Sequence, residues 1–230
     1  MDEIIYLVAG ATGVLGQKLV SKLLLRSQHV RALVRDADKG RALLGENLEV
    51  VEGDVRRIDT VHDVMMNVHT VICAAGARTA EGTNTPEQVD YEGVRNLVLA
   101  AQHAAVKRFL LVSSLAVTRP EHPLNRFGHV LDWKRRGEDA LRDSGIAYTI
   151  VRPGGLTDEP GGQKGILLGQ GDTISGRISR ADLAEVCLRA LDSDRTQNTT
   201  FEVVETDGLP PSDWDALFDA LKPDAQAARA

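Results

Sequence analysis

With 230 residues, 43% of them apolar but only 4% aromatic, the chain can enclose one sizeable core built mainly of Val, Leu, Ala and Ile. Its 27 basic and 33 acidic residues leave a formal charge of −6, which argues against general attraction to nucleic acid or an anionic membrane, so any anion site must be local. No apolar run approaches the length of a membrane span, and Met1-Asp2-Glu3 lack the basic start of a secretory signal.

Short β-branched runs alternate with longer stretches of helical period, the pattern of an α/β fold with a doubly wound parallel sheet covered on both faces. About seven strands are predicted, at 4–9, 29–34, 48–51, 70–74, 108–112, 148–151 and 201–204. Helical periodicity occupies 13–26, 58–67, 90–105, 127–144, 180–191 and 212–221. In the first of these Val14, Leu15, Leu19, Val20, Leu23 and Leu24 fall on one stripe that can cover a sheet. Two glycine- and proline-containing stretches, 77–87 and 153–179, read as loops beyond the carboxyl ends of strands, where open α/β sheets place their ligands. One domain is expected over 1–222, with a substrate-side portion from about 153 and a flexible Ala-rich tail at 223–230. Cys73 and Cys187 lie within apolar segments and read as buried free thiols of a reducing compartment, from which a cytoplasmic location is expected.

The segment between the first strand and first helix carries the most chemistry: Gly10-Ala11-Thr12-Gly13-Val14-Leu15-Gly16. Gly10 permits a tight turn, Gly13 lets backbone approach a pyrophosphate, and Gly16 permits close helix–strand packing. The amides at the helix start, those of Val14 and Leu15 among them, then face an anion with the helix dipole behind them. The second strand ends about 20 residues later, as a dinucleotide site requires. There Arg35 offers a planar cation suited to a 2′-phosphate, with Lys39 and the Thr12 hydroxyl near enough to assist, which favours NADP. Asp36 keeps NAD open, since a strand ending one residue later would turn it to the ribose hydroxyls. After the third strand, Gly53-Asp54-Val55 sets a short acceptor where adenine can be read, or caps the next helix.

These glycines, with Gly53-Asp54-Val55, Cys73-Ala74-Ala75-Gly76, Val112-Ser113-Ser114, Thr149-Ile150-Val151-Arg152-Pro153-Gly154 and Ile178-Ser179-Arg180-Ala181-Asp182-Leu183-Ala184, resemble the short-chain dehydrogenase/reductase superfamily in its extended or atypical branch. The likeness runs from Ile4 to about Val204, and is greatest to small members related to biliverdin and flavin reductases. It implies a Rossmann fold. It also implies that Ala74, Ala75 and Gly76 pass beneath the adenosine ribose and pyrophosphate, and that the turn of Pro153, Gly154, Gly155 and Leu156 lies beside the nicotinamide.

The superfamily's proton donor is the tyrosine of YxxxK, its pKa lowered by the lysine. Lys134 occupies the lysine position and can hold ribose hydroxyls, but Val130 stands where the tyrosine belongs. His129 is a candidate substitute, though rotated about 100° around a helix from position 130. Ser113 and Ser114 can donate to a substrate carbonyl or the cofactor carboxamide, or merely satisfy a strand end. Asn96 would, in the superfamily, organise a water chain. No set of His, Cys, Asp or Glu has metal-ligand spacing.

The expected activity is therefore hydride transfer from NADPH to a small planar acceptor such as a flavin, quinone or tetrapyrrole, with solvent supplying the proton. The alternatives are a regulatory sensor of the NADP(H) pool and a sugar-nucleotide epimerase or dehydratase. A small-molecule substrate is the expected partner, without nucleic acid or membrane, and exposed faces of the helices at 90–105 and 127–144 offer a surface for a homodimer.

Overall fold

The computed structural model describes residues 4–211 and 213–225. Strands β1 (Ile5–Ala9), β2 (His29–Val34), β3 (Glu49–Glu52), β4 (Val68–Cys73), β5 (Arg108–Val112), β6 (Tyr148–Pro153), β7 (Gly155–Thr157), β8 (Gly165–Gly169), β9 (Arg177–Ser179) and β10 (Thr199–Thr206) alternate with helices. The helices are α1 (Val14–Leu25), α2 (Ala37–Leu44), α3 (Ile58–His62), α4 (Val94–His103), α5 (Val130–Arg142), α6 (Arg180–Asp192) and α7 (Trp214–Phe218). A wider π-type turn over Glu87–Gly93 leads into α4.

Eight strands form the main sheet in the order β3-β2-β1-β4-β5-β6-β10-β8, parallel except for the β10–β8 pair. The order reverses between β1 and β4, which opens a crevice outside the carboxyl ends of those strands. Alternate residues of each strand feed opposite faces. Val8, Leu110 and Val112 join α1 and α6 on one side, through Leu15, Leu19, Leu23, Leu183 and Cys187. Leu7, Ala9, Phe109 and Leu111 pack on the other with Val61, Val94, Leu97 and Leu141 of α3, α4 and α5. The sheet is thus doubly wound, as the periodicity predicts.

The seven expected strands all form, but the sheet has eight, because β8 lies within the stretch read as a loop at 153–179. Its five residues, Gly-Ile-Leu-Leu-Gly, end in glycines that disguise a short edge strand. The same stretch contributes β7 and β9, which pair in parallel as a separate ribbon. Helix α2 lies outside the stretches of helical periodicity; eight residues long, it is started by Asp36, whose carboxylate accepts from the Lys39 amide at 3.0 Å, and stopped by Gly45 at φ +84.

The expected tail from 223 is held at its start. Asp224 accepts from the Thr200 hydroxyl at 2.6 Å and from the Tyr148 hydroxyl at 2.9 Å; residues 226–230 of that expectation lie outside the described residues. Among the described residues no helix is long and apolar enough to cross a membrane.

Candidate active site

A cleft of about 530 Å³ opens over the switch point, and its floor is the turn from β1 into α1. Gly10 sits at φ +83, and a Cβ there would come within 2.6 Å of the Ala75 backbone nitrogen. A Cβ on Gly16 would overlap the Gly10 carbonyl oxygen, so helix and strand meet backbone to backbone. Gly13 differs: its nearest neighbour would be the Gly10 oxygen at 3.3 Å, and the space above it belongs to the cleft. The Gly13 amide donates to that same oxygen at 3.0 Å, while the α-helical ladder begins only with Gln17, donating to Gly13 at 2.9 Å. The amides of the first turn, including Val14 and Leu15, precede any intrahelical acceptor, and no side chain caps the helix. A cradle this close and this rich in N–H groups fits a diphosphate. Thr12 lines it as well.

At one end of the cleft Arg35 donates from Nη1 to the Asn84 side chain at 2.9 Å. Arg56 grips Asp54 through Nε at 2.9 and 3.0 Å and also reaches the Thr83 carbonyl, so two arginines tie the 77–87 loop across this end. Hydrogen bonding from Arg56 holds the Asp54 carboxyl below the usual carboxylate range, and Oδ1 also accepts the Arg56 amide at 3.0 Å. Asp54 closes its own turn on the Arg56 amide and does not cap α3, whose first residue is preceded by Arg57 without a side-chain cap; with Val55 it lines the cleft. Asp36 is occupied as the cap of α2, its other oxygen meeting Lys39 Nζ at 2.8 Å. That pairing leaves Lys39 outside the cleft lining, contrary to its expected place near a 2′-phosphate. Arg56, Arg78 and Asn84 line the cleft as well, and no spacing in the sequence marks them.

Ala74, Ala75 and Gly76 form the wall beside β4, and Pro153, Gly154, Gly155 and Leu156 the wall beyond β6. Between them stand Ser113, Ser114 and Lys134. The Ser113 hydroxyl is buried without a hydrogen-bond partner, an uncompensated donor facing the cleft. Lys134 Nζ donates to Asp90 Oδ1 at 2.6 Å, and the other oxygen of this buried carboxylate accepts the Ala77 amide at 3.1 Å. Asp90, which the sequence marks only as the start of a helix, thus fixes both the lysine and the chain after β4. The loop after β5 is fixed by Asp172, which accepts from the Ala116 amide at 2.7 Å and the Thr118 amide at 3.0 Å.

One other expectation changes here. His129 adopts a left-handed backbone conformation at the start of α5, is 75% exposed, pairs with Asp132 at 3.2 Å and does not line the cleft. Asn96 donates to the Val55 carbonyl at 2.9 Å, which ties α4 to the loop after β3. Val130 packs against Ala116, Val117 and Leu131.

Comparison with known proteins places this geometry. A family model described as NAD(P)H-binding matches residues 10–194. The chain belongs to that NAD(P)H-binding family. An uncharacterised chloroplastic protein of Arabidopsis thaliana is 35% identical, over 94% of this chain and 75% of its own length. Sanguinarine reductase of Eschscholzia californica, another relative, is 31% identical over 92% and 94% of the two chains. A Bacillus halodurans structure described as a candidate NAD-dependent epimerase/dehydratase superposes with a TM-score of 0.80 at 30% identity, covering 90% of this chain and 96% of its own. The family assignment and the Rossmann-like sheet agree with the resemblance read from the glycine turn. The cytoplasmic expectation is overturned: relatives in Arabidopsis thaliana and Pisum sativum are described as chloroplastic, and two buried thiols distinguish only reducing from oxidising surroundings. Against the Pisum sativum relative, protein TIC 62, this chain spans only 44% of the length.

Proposed function

We propose that this NAD(P)H-binding protein is an NADPH-dependent reductase that delivers hydride to a small planar acceptor, without a tyrosine acid. The observation that carries this reading is the cleft itself. It combines a diphosphate cradle, cations at one end, and a buried unpaired Ser113 hydroxyl beside Lys134 at the other. Sanguinarine reductase is a relative over nearly its whole length, which supports reduction as the class of reaction.

When bound, the cofactor supplies a hydride at the nicotinamide C4. The first-turn amides, including those of Val14 and Leu15, hold the diphosphate, and Arg35 with Arg56 holds the 2′-phosphate. Lys134, positioned by Asp90, donates to ribose hydroxyls, and Ser113 donates to the carboxamide or to a substrate carbonyl. Val130 offers no proton, so the chain's task is alignment of an acceptor that is readily reduced once positioned, and water at the open cleft supplies the proton. An epimerase or dehydratase, the description attached to the Bacillus halodurans structure, would need an acid–base group where Val130 stands.

Loss of reduced-nicotinamide absorbance with FMN, a soluble quinone and biliverdin tests this. Turnover of at least one acceptor, faster with NADPH than with NADH, is expected. No turnover of any acceptor with either coenzyme overturns the reading.

A further inference from the structure

Charge in the cleft is lopsided. Its lining carries five cations, Arg35, Arg56, Arg78, Lys134 and Arg180, and one carboxylate, Asp54, in a chain whose formal charge is −6. The phosphates of NADPH account for the cations at the adenosine end, and Lys134 is neutralised by Asp90. Arg180 is left over, and it stands at the opposite end. The β7–β9 register sets Leu156 against Ile178 and Thr157 against Ser179, so Arg180 follows directly beyond the wall assigned to the nicotinamide. Its guanidinium meets Asp158 at 2.9 Å, but that carboxylate is 69% exposed on the loop after β7, a partner that holds weakly in water and can be exchanged. Leu156 and the half-exposed Leu124 supply apolar surface in the same cleft.

Resting on the reductase reading above, we propose that Arg180 selects acceptors that pair a flat ring with an anionic tail, a phosphate or a carboxylate, over neutral or cationic rings. The ring lies on the apolar wall at the nicotinamide end, and the tail replaces Asp158 on the guanidinium, where a planar fork binds either anion through two parallel hydrogen bonds. Hydride passes with its electron pair to the ring and a proton from water completes the reduction, so NADPH, a proton and the oxidised acceptor yield NADP⁺ and the reduced acceptor. Arg180 takes no part in that transfer; it is a specificity determinant.

The test is equilibrium binding with saturating NADP⁺, where no turnover occurs, following flavin fluorescence or bilin absorbance. FMN against riboflavin isolates the phosphate, and biliverdin against its dimethyl ester isolates the carboxylates. The wild-type protein is expected to favour the anionic member of at least one pair by about tenfold or more, the scale of one charge-assisted contact. Arg180→Gln should abolish that preference without changing NADP⁺ affinity. Asp158→Asn should keep the preference, whereas a merely structural role for the ion pair would make both variants lose it alike. Equal binding within both pairs, or a loss in Arg180→Gln confined to NADP⁺, overturns this inference and leaves the reductase reading intact. Failure of all four ligands to bind, with no NADPH turnover, sinks both.

Discussion

Gly13 and Gly16 are three residues apart and spared a side chain for different reasons. A methyl group at Gly16 meets backbone on the other side of the turn, whereas one at Gly13 has only the Gly10 oxygen near it, at 3.3 Å, on a residue that lines the cleft. Gly16→Ala is therefore expected to destabilise the fold by about 2–3 kcal/mol, the upper range for overpacking against atoms that cannot yield. Gly13→Ala should unfold near the wild-type temperature and yet bind dinucleotide at least about tenfold more weakly, a gap of about 1.4 kcal/mol. Thermal unfolding with and without NADPH separates the two. Coenzyme choice belongs to the same scale: Arg35→Ser and Arg56→Ser should each weaken NADPH by about tenfold while leaving NADH nearly unchanged. A parallel loss for both coenzymes would mean that these arginines only staple the 77–87 loop. The glycines and Arg35 are legible because their roles follow from position in a strand–turn–helix unit. Arg56, Asp90 and Arg180 are not, since each acquires its role only when distant chain segments meet.

At the scale of elements, α5 carries Lys134 and is latched to β6 by a buried ion network. Glu138 accepts from Arg152 at 2.6 and 2.9 Å and from Arg142 at 2.8 Å, and Arg152 also reaches Glu202 of β10 at 3.3 Å. Glu138→Ala leaves two guanidinium groups short of their shared partner, and a loss of about 3–5 kcal/mol is expected in denaturant unfolding. From sequence Glu138 reads as a solvated helix charge, but it is fully buried, because helical period cannot say that an arginine on the next strand points back at it. Strands with β-branched alternation were legible throughout. The edge strand β8 and the β7–β9 ribbon were not, since glycine spacing in 153–179 resembles loop composition while the pairing that makes them strands is supplied by β10 and by each other.

For the molecule as a whole, both thiols are sealed in the apolar layers on opposite sides of the sheet, Cys73 on β4 and Cys187 on α6, and burial pushes Cys73 up to about 11 and Cys187 up to about 12. A thiol reagent at neutral pH should label neither until the protein unfolds. Acid stability has its own marker in Asp172. Burial alone would raise its carboxyl, but hydrogen bonds from the Thr118 hydroxyl and from the Ala116 and Thr118 amides outweigh that and bring it below its ordinary 3.8. A carboxyl depressed in the folded state stabilises at pH above its unfolded value, and the contribution disappears as pH falls through the folded one. Asp172→Asn should accordingly lower Tm at neutral pH, with the gap to wild type closing as the pH drops below about 3.8.

The proposed activity requires the cleft to accept NADPH, and calorimetric titration with NADPH and NADH tests that most directly. Saturable heat with NADPH and at least about tenfold weaker binding of NADH are expected, the discrimination that arginine contacts to a 2′-phosphate confer. Absence of heat and of thermal protection with both coenzymes would contradict it.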